Sequence, residues 1–208
     1  MRKREDERIA SLREELSEFS RRAFNRGLVS GAGGNISVRV PDTDKVLITP
    51  SGVSLGDDEP GVNILLNLEG AILDAPSGLK PSKEVNFHLA VYRLRDDAMA
   101  VAHLHPPYAT AFSNKGRPLP LVTVSSRVVL KDVPWVESAL PGSRELYEFV
   151  CEALEKHPGV RAMLMKEHGV LTIGPDLKTA YYLTDLVEDT AKIAFIASHI
   201  PQDMDFVE

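Results

Sequence analysis

The chain has 208 residues, 43% of them apolar and 26% charged, and a formal net charge of −6. That length holds one domain with a substantial core or at most two small ones, in the composition of a globular protein. The acidic balance, with no basic patch carrying interleaved aromatics, argues against a nucleic-acid binder, and no apolar run approaches a membrane span.

The start of the chain, Met1-Arg-Lys-Arg-Glu-Asp-Glu-Arg8, lacks the apolar stretch of a signal peptide. Residues 5–26 follow as a predicted amphipathic helix, with Ile9, Leu12, Leu16, Phe19 and Ala23 at three-and-four spacing and Gly27 as its stop. A glycine-rich loop, Ser30-Gly-Ala-Gly-Gly-Asn-Ile36, leads into an alternating strand over 36–40. A second strand over 45–49 is ended by Pro50-Ser-Gly52, and short strands are expected at 63–66 and 71–73 around a turn at Glu69-Gly70. Pro81 and Ser82 read as a helix start with Glu84 in its first turn. Ala100 to Leu104 reads as a buried strand, and Pro107 to Asn114 as a helix closed by Gly116. The apolar, β-branched run from Leu119 to Leu130 predicts strands. Ser143 caps a helix carrying Leu146, Phe149, Val150, Ala153 and Leu154, in which Cys151 reads as a packing residue. As the only cysteine it can form no internal disulfide, which fits a reducing, cytoplasmic compartment. Strands over 161–165 and 170–173 flank Glu167-His168-Gly169, and a last helix over 176–198 is apolar on more than one face. This order is not the strict alternation of a doubly wound parallel sheet. It predicts an α/β protein with one largely antiparallel sheet and helices on both faces, residues 1–208 forming a single domain.

Chemistry concentrates in a few places. His103 and His105 lie two apart on the strand, so both point to one face as a pincer for a divalent metal. His168 is the candidate third ligand, in a set that leaves a position open for substrate. Each of the pair could instead be a hydrogen-bonded core residue. His157, beside Pro158, and His199 read as structural. The loop Gly33-Gly-Asn-Ile-Ser37 lets backbone amides approach an anion, or is simply a turn. Ile48-Thr-Pro-Ser-Gly52 is again small, polar and flexible. Lys80-Pro-Ser-Lys-Glu84 sits at a helix N-terminus suited to phosphate, although Ser82 could merely cap that helix. Glu84 is a solvated first-turn residue or, beside a metal, a base.

Taken together and in order, Gly34-Asn-Ile-Ser-Val-Arg39, Ile48-Thr-Pro-Ser-Gly52, Lys80-Pro-Ser-Lys-Glu84, Ala102-His-Leu-His105 and Glu167-His-Gly-Val-Leu171 resemble the class II aldolase/adducin family over residues 8–198. The resemblance implies a three-layer α/β/α sandwich with a mostly antiparallel central sheet, assembled as a homotetramer. It implies zinc, with cobalt or manganese able to serve, held by His103, His105 and His168. It makes Glu84 the catalytic acid/base, able to join the metal when substrate is absent, and places the phosphate of a sugar or sugar-acid substrate on Gly34, Asn35, Ser51, Gly52 and Ser82. Two departures stand out. Fuculose-phosphate aldolases commonly carry a second serine before the glutamate, where this chain has Lys83, as do relatives acting on four-carbon acid phosphates. Lys83 then holds a phosphate or carboxylate, or is a solvated helix residue. The tyrosine that a neighbouring subunit supplies to the aldehyde side is missing from Leu121-Val-Thr-Val-Ser-Ser-Arg127, and Tyr108 occupies a different position. The expected activity is cleavage of a ketose 1-phosphate such as L-fuculose 1-phosphate to dihydroxyacetone phosphate and an aldehyde. The alternatives are a 3-oxo-tetronate 4-phosphate decarboxylase, a pentulose-phosphate 4-epimerase, a methylthioribulose-phosphate dehydratase and, outside catalysis, an adducin-like interaction module.

Overall fold

Eight strands, β1 (Asn35–Arg39), β2 (Lys45–Ile48), β3 (Ile64–Asn67), β4 (Ile72–Asp74), β5 (Ala100–Leu104), β6 (Trp135–Val136), β7 (Ala162–Met165) and β8 (Gly169–Gly174), form one sheet in a computed structural model that describes residues 2–201. Their order is β4-β3-β2-β1-β5-β8-β7-β6. Every pairing is antiparallel except β6 with β7, so the sheet is mixed at one edge rather than antiparallel throughout. Six helices accompany it: α1 (Arg2–Asn25), α2 (Val85–Leu94), α3 (Pro107–Ser113), α4 (Val124–Val129), α5 (Arg144–Lys156) and α6 (Leu177–Ala197).

The side-chain alternation of the central strands makes the layers. Ala100, Ala102 and Leu104 of β5, with Ile36 and Val38 of β1, pack on Leu16, Phe19 and Ala23 of α1 and on Leu177 and Tyr181 of α6. Val101 of β5, with Leu171 and Ile173 of β8, packs on the other face against Phe87 and Val91 of α2 and Leu146 and Val150 of α5. The result is the expected three-layer α/β/α sandwich. It is held mainly by apolar burial, worth ~1.5–3 kcal/mol for each fully buried large aliphatic or aromatic side chain. His103 shares parity with Val101, and Asn35 and Ser37 are out of phase with Ile36 and Val38. All three therefore face the α2 side.

Two expectations change. The helix predicted from Pro81 starts at Val85. Residues 80–82 run extended instead, Pro81 bridging to Pro50 while the Ser51 and Ser82 amides donate to the Lys80 and Thr49 carbonyls. The strands predicted within 119–130 are a short helix, α4. There Thr123 accepts from the Ser126 amide and Ser126 accepts from the Thr123 amide, so a capping box overrides the β-branched run. The two-residue β6 escaped the sequence reading because it is too short to show a period. The last helix follows expectation, with Asp176 capping it and Leu177, Ala180, Leu183, Val187 and Ala191 buried.

Candidate active site

Three ends of chain meet at one edge of the central strands. Asn35 opens β1 and pairs in register with His103, near the end of β5. His103 in turn pairs with Leu171, just inside β8, and His168 occupies the turn that enters β8. Close packing of backbone makes this possible. Gly34, at φ +71°, brings the loop so near β5 that a Cβ would stand 3.0 Å from the His103 carbonyl oxygen. At Gly169 a Cβ would stand 2.3 Å from the Leu104 carbonyl oxygen and 2.7 Å from the His105 ring, so any side chain there displaces a histidine.

The three imidazoles converge through their Nε2 atoms. His105 Nε2 lies 3.0 Å and His168 Nε2 3.3 Å from His103 Nε2. The Glu84 carboxylate closes the group, Oε2 at 3.3 Å from His103 Nε2 and Oε1 at 3.4 Å from His168 Nε2. Ligand atoms that share one small divalent ion through bonds of ~2.0–2.1 Å stand ~3.3 Å apart, and these separations are of that size. The protonation pattern agrees. His103 Nδ1 donates to the Val170 carbonyl at 3.0 Å, which turns its Nε2 towards the other two rings. Burial pushes His105 down to about 3 and His168 to about 4, so both are neutral at pH 7. Lone pairs this close repel unless a cation or proton lies between them. His103, His105 and His168 can therefore hold a divalent metal.

Glu84 stands at the N-cap of α2, 6% exposed, and not in a solvated first turn. Burial alone would raise its carboxyl. His103, His168 and the Asn35 amide outweigh burial and hold it well below the ordinary carboxylate range. Asn35 Nδ2 donates to Oε2 at 2.9 Å, whereas Oε1 makes no hydrogen bond. Ser82 Oγ accepts from the Glu84 amide at 3.3 Å, so it fixes the approach to the helix rather than capping the first turn.

The same cleft is lined by Gly34, Asn35, Ser51, Gly52, Ser82, Lys83, Glu84, His105 and His168, so the structure gathers the candidates around the buried His103. Lys83 is exposed at the rim. Pro141, from the loop before α5, also lines the cleft and carried no sequence signal. Tyr108 does not join it: its ring packs 5.7 Å from Phe195. A wider groove at the far end of the strands, lined by Arg39, Asp44 and Asp96, contains no histidine. His157 closes α5 and pairs with Asp132 at 3.0 Å, and His199 bonds to the Phe195 carbonyl; both are structural, as expected. The neighbour of the site that escaped notice is His88, fully buried behind Asn35.

The sequence profile of the class II aldolase and adducin N-terminal domain matches residues 14–195. An L-fuculose phosphate aldolase of Methanococcus maripaludis is 35% identical over 189 residues, covering 89% of this chain and 99% of that one. A 3-oxo-tetronate 4-phosphate decarboxylase of Escherichia coli K12 is 35% identical over 199 residues, covering 92% and 89%. A solved L-fuculose 1-phosphate aldolase superposes with a TM-score of 0.84 at 30% identity, over 95% of this chain and 91% of that one. With the profile spanning most of the chain and relatives matched almost end to end, the protein belongs to the class II aldolase and adducin family, as an enzyme of its aldolase branch.

Proposed function

We propose that this chain is a zinc-dependent sugar-phosphate aldolase that cleaves a ketose 1-phosphate, such as L-fuculose 1-phosphate, to dihydroxyacetone phosphate and an aldehyde. The observation that carries the reading is the convergence of three imidazole Nε2 atoms and the Glu84 carboxylate on one point, in the cleft that Ser51, Gly52 and Ser82 line. A divalent cation bound there supplies Lewis-acid stabilisation of the negative charge that develops on the substrate's carbonyl oxygen. The chain's own groups do the rest. The Ser51 and Ser82 hydroxyls and the backbone at Gly34 and Gly52 grip the phosphate, whose remote binding orients the reacting carbons. The Ser51 amide is already committed to Lys80, so that grip falls to hydroxyls and glycine backbone. Glu84, ionised at rest, takes up the proton that the substrate hydroxyl loses as it becomes the aldehyde oxygen, and delivers it to the carbon released by cleavage. Oε1 is the oxygen for that transfer, because Oε2 is engaged by Asn35.

The second reading, decarboxylation of a 3-oxo-tetronate 4-phosphate, is favoured by Lys83 and by the Escherichia coli relative that carries that name. A pentulose-phosphate 4-epimerase and a methylthioribulose-phosphate dehydratase would draw on the same site. An adducin-like interaction module has no use for three converging imidazoles beside a carboxylate. We further propose a homotetramer: Val124 and Val128 on the outer face of α4 are 69% and 67% exposed, and Leu140 beside the cleft is 78% exposed, an apolar surface suited to a neighbouring copy. Metal analysis, a sedimentation measurement and a product screen with ketose 1-phosphates and oxo-tetronate phosphates test the reading. A metal-free protein inert towards both substrate classes sinks it.

A further inference from the structure

We infer that His88 is a positioning residue, which holds the Glu84 carboxylate in its working orientation through the side chain of Asn35. Glu84, His88 and Tyr92 recur every fourth residue along α2, while Asn35 and Ser37 alternate on the β1 face that meets it. Four helical residues rise ~6.0 Å and two strand residues ~6.7 Å. The two rows therefore interleave nearly in step: Glu84, Asn35, His88, Ser37, Tyr92.

Each link is short. Asn35 Nδ2 meets Glu84 Oε2 at 2.9 Å and Asn35 Oδ1 meets His88 Nε2 at 2.5 Å. Ser37 Oγ meets His88 Nδ1 at 2.7 Å and Tyr92 Oη at 2.8 Å. His88, Ser37 and Tyr92 are 0% exposed, so water replaces no partner. The polarity of the row is fixed from its Glu84 end. A carboxylate only accepts, so the Asn35 amide turns its NH2 to Glu84 and its oxygen to His88. His88 must then carry its proton on Nε2. A fully buried imidazole without a carboxylate in contact is neutral, so Nδ1 accepts from Ser37 and Ser37 accepts from Tyr92. Asn35 alone could rotate by half a turn and present its oxygen to Glu84. His88, locked by Ser37 and Tyr92, forbids that flip. Nothing in this row touches the substrate's position except Glu84 and Asn35, so His88 acts only through them.

The inference rests on the acid/base reading of Glu84, and the test separates the two. Histidine 15N spectra of the metal-free protein should show His88 as the Nε2–H tautomer, its proton slow to exchange and its shift moved in Asn35→Ala. An Nδ1–H tautomer overturns the positioning role by itself. His88→Leu should bind metal fully and hold KM nearly constant while kcat falls ~10–100-fold, the usual cost of losing an outer partner of a site group. His88→Gln, which retains a donor for Asn35 and an acceptor for Ser37, should recover most of that loss. In Glu84→Gln the His88→Leu change should cost nothing further. Losses that multiply in the double variant mean that His88 supports the fold generally, and overturn the inference. Should His88→Leu fail to fold, Ser37→Ala takes its place, with a smaller kcat loss that must also vanish beside Glu84→Gln. Full turnover in Glu84→Gln overturns the acid/base reading and the positioning role with it, and leaves the tautomer unchanged.

Discussion

Glu84 and Asp58 are both buried carboxyl groups, and they differ in what surrounds them. Glu84, 6% exposed, faces three imidazoles and the Asn35 amide and is held ionised. Asp58, 1% exposed beneath α1, faces hydroxyls and an amide, from Ser20, Asn63 and Ser17, and neither of its oxygens makes a well-formed hydrogen bond. Arg21 passes close by but donates to the Asp58 backbone carbonyl. Burial therefore dominates at Asp58 and pushes its carboxyl up to about 6. Both lie deep in the protein; the neighbouring charges and donors decide which way the carboxyl shifts. A buried carboxylate kept ionised against desolvation marks chemistry.

The largest effects should come from breaking the ligand side of this contrast. His103→Ala or His168→Ala should lose most of the roughly one metal per chain expected of the wild type, measured by elemental analysis after gel filtration. Full stoichiometry in either removes that residue from the ligand set. Glu84→Gln should keep metal and fold while turnover falls at least ~100-fold, the scale of a lost general acid/base. Asp58→Asn is the matched control, and its kcat should equal that of the wild type. A comparable loss in both would erase the distinction between the two buried carboxyls.

The binding loops extend the contrast outward. If Ser51 and Ser82 hold phosphate, Ser51→Ala and Ser82→Ala should each raise KM for a phosphorylated substrate, tenfold for every ~1.4 kcal/mol of uniform binding lost. An unphosphorylated analogue should be indifferent. Equal effects on both compounds assign these serines to the backbone turns that they help to close.

How much of this was legible beforehand follows from the range of each signal. The histidine cluster could be read because a strand's period of two puts His103 and His105 on one face, and the five motifs pointed to His168 as its third member. The capping of α5 by Ser143 could be read because a cap acts within three residues. The start of α2 could not: Pro81 and Ser82 carry N-terminal signals, but a bridge to Pro50, thirty-one positions earlier, holds them extended. The segment from Leu119 to Leu130 misled because its β-branched residues point outward, Val124 and Val128 being mostly exposed, where propensity is weak and the Thr123–Ser126 capping box prevails. The buried row behind Glu84 was visible in principle. Glu84, His88 and Tyr92 at four-residue spacing are polar positions on what is otherwise an apolar helix face, and that mismatch was the available signal.

A thermal titration of metal-free protein sharpens the comparison at a smaller scale. Asp58 has its carboxyl raised from 3.8 to about 6, so its contribution to stability is present below pH 3.8 and is lost as pH rises through about 6. Glu84 has its carboxyl lowered, so its contribution is present above its ordinary 4.5 and is lost on acidification. The Tm of Asp58→Asn should match wild type near pH 3.8 and exceed it by a few degrees above pH 6. The deficit of Glu84→Gln should instead shrink as pH falls below 4.5. Parallel curves for the two variants would mean that the two carboxyls do not shift in opposite directions.

The smallest expected effect tests the rim of the cleft, where a polar group can serve ligand or solvent. Lys83 is exposed, makes no ion pair among the described residues and lies next to Glu84 in the lining. Its ammonium is therefore free to meet a substrate carboxylate, the group that separates an oxo-tetronate phosphate from a ketose 1-phosphate. An exposed charge pair is worth ~0.2–1 kcal/mol, so Lys83→Ala should weaken handling of the tetronate phosphate by up to ~5-fold in kcat/KM and spare the ketose 1-phosphate. The salt dependence should follow the same division, since screening acts on exposed pairs: wild-type activity on the tetronate falls with ionic strength and the variant's does not. Equal loss on both substrates makes Lys83 part of the phosphate grip. No loss on either makes it a solvated residue and withdraws the main local argument for decarboxylation, leaving aldol cleavage as the reading that the cleft supports.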